Sequence, residues 1–231
     1  MEENTKCNLH VTQEGSEVCP LLNFNHSQTH KNAQGIDLQN VWFGEVWICS
    51  GQSNMQMGMG EILNSTEEMA RMADYPMIRM YSVQLTTSET PMDDLVKENP
   101  FQKTSWARTT DTFPADPNKP LITYFSAVCL LYATNIADVY GKDKVFGLIE
   151  SNWGGTIIEA WMPPEPLDAC GIEPCCDDGD QNSNSVIYNA MIHPLVSLSL
   201  LILLWPQLVP HQSPLQATFD RLQLQLQHQA Q

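Results

Sequence analysis

Two apolar, β-branched runs flanking one amphipathic stretch constrain this chain most. Ile78-Arg-Met-Tyr-Ser-Val83 and Val145-Phe-Gly-Leu-Ile149 read as strands, the second apolar throughout, as in a strand buried on both faces. Between them, Phe125 to Tyr140 places apolar residues at 125, 128, 129, 132, 136 and 139, the spacing of a helix with one buried face, and Gly141 stops it. Strand, helix and strand in that order describe a parallel crossover, because parallel neighbours cannot be joined by a tight turn. An earlier run, Val41-Trp-Phe-Gly-Glu-Val-Trp-Ile-Cys49, is expected as another largely buried strand. The class is α/β.

At 231 residues the chain is long enough for one large domain with an ordinary core. Its charge is lopsided: 27 acids against 11 bases give −16, which argues against nucleic-acid binding because carboxylates repel phosphates and collect no counterion-release energy. From Gln181 onward the only formal charges are Asp220 and Arg221, so the acidity belongs to the first 180 residues. The one membrane-like stretch, Leu195 to Trp205, falls far short of the roughly 20 apolar residues of a bilayer span, and no membrane span is expected. The opening Met-Glu-Glu-Asn-Thr-Lys has neither a basic region nor an apolar run, so it does not read as a secretory signal. Asn25-His-Ser27 and Asn64-Ser-Thr66 fit the N-glycosylation sequon, which matters only in a secreted chain.

Residues 1–36 are polar without clear period and are expected to be an irregular lead-in. A helix is expected over Thr66 to Ala73. Five prolines between 91 and 120 mark residues 84–120 as a long surface excursion.

Two motifs carry chemistry. Ser50-Gly51-Gln52-Ser53-Asn54-Met55 follows the first strong strand, where open parallel sheets bind ligands, so Ser53 is a candidate nucleophile as well as an ordinary turn serine. It is not a Gly-x-Ser-x-Gly elbow, since Met55 stands at the second glycine. Ser151-Asn152-Trp153-Gly154-Gly155-Thr156 follows the strand ending near Ile149. Thr156-Ile-Ile-Glu159 has capping-box spacing, so a helix is expected to start there, with bare glycine amides available to an oxyanion or merely forming a turn. Asp178-Gly-Asp180-Gln-Asn182-Ser-Asn184 spaces oxygens like a calcium loop. Ser183 occupies the obligatory glycine and Asn189 the bidentate glutamate, so a solvated acidic loop is expected and no metal. Cys170, Cys175 and Cys176 lack the partners of a zinc site and are left as a disulfide or free thiols; no cofactor is implied.

Val41-Trp-Phe-Gly-Glu-Val-Trp-Ile-Cys-Ser-Gly-Gln-Ser-Asn-Met-Gln-Met57 closely resembles the first signature block of the sialate O-acetylesterases, members of the SGNH-hydrolase superfamily. Ser126-Ala-Val-Cys129, Gly147-Leu-Ile-Glu-Ser-Asn-Trp-Gly-Gly-Thr156, Glu159-Ala-Trp161 and Asn189-Ala-Met-Ile-His-Pro-Leu195 resemble that family in the same order. The resemblance implies a three-layer α/β/α, flavodoxin-like, mostly parallel sheet, incomplete at the C-terminus. It also implies hydrolysis of O-acetyl esters on sialic acid or a related acetylated carbohydrate, in a lysosomal or secreted setting. Carried over by position, Ser53 matches the nucleophile, its own amide and Gly155, beside Gly154, the oxyanion donors, and Gln52, Asn54, Trp153 and His193 further binding positions.

The implied organisation is a lead-in over 1–36, a partial hydrolase domain over 37–195 and a divergent Leu/Gln-rich tail over 196–231. After Leu195 the chain departs from the family. It holds neither the Gln-Gly-Glu-Ser-Asn block that completes the oxyanion hole nor the Asp-x-x-His that supplies the base, for no Asp precedes a His by three. A serine without its base typically loses about 10⁴ to 10⁶ in kcat. The residues thus leave open a hydrolase, a module that binds acetylated sugars without turnover, and a truncated form with no function of its own. Oligomeric state is not legible.

Overall fold

The computed structural model describes residues 7–11, 36–96, 105–113, 116–176, 179–196 and 202–204. The chain divides into two compact units, 1–44 and 45–231.

In the first unit β1 (Cys7–Val11) pairs antiparallel with β2 (Ile36–Val41), setting Leu9 opposite Leu38 and Val11 opposite Ile36. The expected irregular lead-in therefore contains a strand. Its alternation is five residues long, and the pairing partner lies 25 or more residues away, so no local signal announces it. The expected strand over Val41 to Cys49 is also divided: β2 stops at Val41, the chain bends at Gly44, and β3 (Glu45–Gly51) begins the second unit.

The second unit is built on a five-stranded sheet in the order β5-β4-β8-β3-β9. After β3 come the single-turn α1 (Ser53–Gln56), α2 (Ser65–Arg71), which continues as a 3-10 turn to Asp74, and β4 (Ile78–Ser82). The region expected as a surface excursion carries short antiparallel pieces: β5 (Ala107–Arg108) on β4, and β6 (Thr112–Phe113) on β7 (Asp116–Pro120). Then follow α3 (Ala127–Tyr140), β8 (Phe146–Asn152), α4 (Pro164–Cys170) and β9 (Ile202–Leu204). Strands β4, β8, β3 and β9 are mutually parallel, and β3 is matched to β8 over seven residues from Glu45↔Phe146 to Gly51↔Asn152.

Alternation along the strands makes two cores. Trp47, Cys49, Ile78, Met80, Phe146 and Leu148 face a layer formed by α3, with Met55, Met59 and Met72. Ile48, Val83 and Ile149 face the opposite layer, which holds Ala160, Trp161 and the helical segment from Val186 to Leu195. Ser126 caps α3 by accepting from the Cys129 amide, and Gly141 ends it at φ 115, a conformation a side chain disfavours. A disulfide joins Cys49 of β3 to Cys129 of α3 within the first core, both fully buried; Cys175 and Cys176 are bonded to each other, and Cys170 is an exposed thiol.

The three-layer, mostly parallel architecture is the one the sequence suggests. Strand order differs from a flavodoxin-like sheet in that β3 lies between β8 and β9, not between β4 and β8. The segment beyond Leu195 contributes β9, in register with Trp47 to Cys49. The helix expected from Thr156 is absent. A short 3-10 turn, Ile158–Trp161, stands there instead, because Thr156 Oγ1 donates to the Trp153 carbonyl and accepts from Trp161 Nε1 rather than capping. Among the described residues no helix is long and apolar enough to cross a membrane.

Candidate functional site

Strands β3 and β8 are neighbours, yet the chain leaves them on opposite faces of the sheet. From β3 it turns into the first layer through Met55 and Met59; from β8 it turns into the second through Ala160 and Trp161. Diverging exits at the carboxyl ends of two neighbouring strands mark the usual ligand position in sheets of this kind. Both chemical motifs lie there, directly after β3 and β8.

On the β3 side, Gly51 adopts φ 153, where glycine is favoured, and Ser53 opens α1 with Gln52 as the residue before it. The carbonyl of Gln52 accepts from the amides of Met55 at 2.8 Å and Gln56 at 3.0 Å, which fixes the turn. Met55 anchors it in the core, while Gln52, Ser53 and Asn54 are exposed. The Ser53 hydroxyl donates to Gln52 Oε1 at 3.1 Å, and among the described residues it meets no imidazole or carboxylate.

The β8 side is tied to this turn at three points. The Trp153 amide donates to the Gly51 carbonyl at 3.0 Å, Asn152 Nδ2 to the Met55 carbonyl at 3.2 Å, and the Gly154 amide to Gln56 Oε1 at 2.8 Å. Gly154 is packed so closely that a Cβ there would stand 2.7 Å from Gln56 Oε1 and 3.5 Å from Ser53 Cα. The Gly154 amide is thus engaged. That of Gly155, at φ 76 with open space around it, takes part in none of the described hydrogen bonds, nor does the Ser53 amide. Amides left without a described hydrogen-bond partner are groups that can stabilise developing negative charge.

The other expected positions fall elsewhere. Trp153 is half-buried against the second core. His193 donates from Nδ1 to the Met92 carbonyl at 2.9 Å, with its ring edge-on to Tyr188, so it helps fasten the segment around Met92 to the helical layer. Asn64 is exposed at φ 56 before α2, and Asn25 lies outside the described residues. Cys175 and Cys176 are spent on each other, and no group of three or more His, Cys, Asp or Glu among the described residues has metal-binding geometry.

Sequence reasoning passed over one residue of the site's support. Glu150 is buried, accepting from the Ser126 amide at 2.7 Å and from the Ser82 hydroxyl and the Asn152 side chain. Burial pushes its carboxyl up to about 7, partly offset by those three hydrogen bonds. The available signal was an acid directly after the apolar run Val145 to Ile149.

No family model matches the chain. Curated proteins named sialate O-acetylesterase from Pongo abelii, Homo sapiens and Mus musculus are 38%, 37% and 34% identical to it, each over 74% of this chain. The chain spans about a third of their length, 32%, 32% and 36% respectively. Among solved structures, a carbohydrate acetylesterase from Xanthomonas citri matches 84% of this chain and 42% of its own with a TM-score of 0.56 and 21% identity, a likeness of fold.

Proposed function

Because the chain is homologous to the sialate O-acetylesterases over about three quarters of its length, we propose that this strand-end site is the nucleophile half of a carbohydrate acetylesterase site. The substrate class is an O-acetylated sialic acid or a related acetylated sugar. Ser53 Oγ attacks the acetyl carbon, the carbonyl oxygen becomes an oxyanion held by the Ser53 and Gly155 amides, and the sugar leaves as its alcohol. Water then releases acetate from Ser53. The observation that supports this reading is the close apposition of Gly154 to the Ser53 backbone, with the adjoining Gly155 amide left without a described hydrogen-bond partner.

The proton of Ser53 needs an acceptor, and its described partner, Gln52, is not a base. With Gln52 as its described partner, Ser53 is expected to turn acetyl esters over slowly, roughly 10⁴-fold or more below a complete triad. The buried Cys49–Cys129 bridge favours an oxidising, secreted or lysosomal setting for the chain. The test is acetate release from an O-acetylated sialoside by the chain and by its Ser53→Ala form. A difference of tenfold or more supports the nucleophile; equal rates refute it. Saturable sialoside binding with equal rates leaves a binding module, a reading in keeping with Ser53 meeting no imidazole or carboxylate among the described residues.

A further inference from the structure

We infer that Glu150 is a positioning residue that holds the Ser53 turn in register, gripping the N-terminus of α3 with one oxygen and the Asn152 side chain that supports α1 with its carboxylate. The inference deepens the esterase reading of the site and rests on it for its functional consequence.

The geometry runs outward from one carboxylate. Oε2 accepts from the Ser126 amide, which starts α3, and Oε1 accepts from the hydroxyl of Ser82 at the end of β4. Asn152 hydrogen-bonds the same carboxylate and donates to the Met55 carbonyl. From the α3 side, the Ser126 hydroxyl meets Met55 Sδ at 3.4 Å, the Ala127 amide donates to the Met57 carbonyl at 2.8 Å, and the Met59 amide to the Phe125 carbonyl at 3.0 Å. The segment behind Ser53 is therefore held from two directions, and Glu150 bonds one residue of each hold, Ser126 and Asn152.

The Ser126 amide and the Asn152 side-chain N–H can only donate and suit the ionised carboxylate, while on protonation the Ser82 hydroxyl is the one partner able to turn round and accept the new O–H. The elements around it bring Ser82 from β4, Cys49 from β3 in its disulfide, Met55 from α1, Ser126 from α3 and Asn152 from β8. None of these is charged, and no charged neighbour contributes to the displaced ionisation of Glu150. Its protonation is thus expected to rearrange the hydrogen bonds behind the turn near neutral pH.

The experiment follows backbone amide resonances by ¹⁵N NMR from pH 5.5 to 8.5 in the full chain, in Glu150→Gln and in Asn152→Ala. Residues 53–57 and Ser126 are expected to titrate with a midpoint near 7 in the parent and to stay flat in Glu150→Gln. In Asn152→Ala, Ser126 still titrates while the amplitude at 53–57 falls at least twofold. Flat residues in the parent, or a titration that survives in Glu150→Gln, overturns the inference; so does an undiminished response at 53–57 in Asn152→Ala. The parent titration requires no variant to fold. These readouts need no turnover, so failure of Ser53-dependent hydrolysis would count against the esterase reading alone. Where turnover is present, Glu150→Gln lowers kcat roughly 10- to 100-fold with KM little changed and flattens its pH profile between 6 and 8.

Discussion

Replacing both Cys49 and Cys129 by alanine removes the one long-range covalent link among the described residues, and its cost follows from the loop it closes. The two cysteines are 80 positions apart. Closing a loop of that length restricts the unfolded chain by about 4.5 kcal/mol at 25 °C, on the chain-entropy estimate. Against a total stability of roughly 5–15 kcal/mol for a domain, that is about 30% or more of the net stability. At roughly 2–4 °C per kcal/mol for a chain of this size, the midpoint of thermal unfolding should fall by about 9–18 °C. Both sulfurs are fully buried between β3 and α3, so the alanine pair also leaves a small void that adds to the loss. The assay is urea unfolding followed by circular dichroism, for the parent, the double variant and the parent unfolded in reductant. The m-value should rise in the variant, because an uncrosslinked denatured chain exposes more surface. Stability within about 1 kcal/mol of the parent would refute the reasoning, as would alkylation of Cys49 and Cys129 as free thiols in the parent.

Two further expectations concern the site. Gly154→Ala should break the Gly154–Gln56 hydrogen bond and press on the Ser53 backbone, lowering Ser53-dependent hydrolysis roughly 10- to 100-fold while unfolding shifts by only about 1 kcal/mol; unchanged hydrolysis would show that the glycine is not needed for the approach. For Glu150 the folded-state carboxyl titrates at about 7, above its ordinary unfolded value near 4.5, so the fold is favoured while the group is protonated. Its contribution is complete below the unfolded value, is lost as pH rises from about 4.5 to about 7, and amounts to roughly 3 kcal/mol. Denaturant midpoints measured across that window should fall more steeply in the parent than in Glu150→Gln, and parallel curves would contradict the assignment.

What was legible in the sequence was what repeats along the chain. The apolar periodicity of 125–140 and the unbroken run at 145–149 gave α3 to within two residues at its start and β8 to within one at its start and three at its end, because burial on one or both faces leaves a pattern that no other constraint erases. The two-residue strand β5 and the strand β1 owe their existence to partners distant in sequence, and nothing local marks them. Thr156 shows how a local rule loses to tertiary contact: its hydroxyl has the spacing of a cap but is claimed by the Trp161 indole. At the site, Ser53 and the glycine pair were visible as punctuation after strands. That Gly154 is occupied and Gly155 free depends on where the Gln56 side chain reaches, and Glu150 is recognisable only once four separate elements converge on it.

The place of β3 in the sheet, with β8 on one side and β9 on the other, bears on which parts of the molecule open first. A strand bonded on both edges releases its amides to solvent only when a large part of the fold comes apart, whereas a single helical turn at its end opens at far lower free energy. Hydrogen–deuterium exchange should therefore change by orders of magnitude over a few residues, from the slow amides of Trp47 to Cys49 to the fast ones around Ser53 and Asn54. Such a step couples an immobile anchor to a turn that can adjust its conformation without disturbing the strand that presents it.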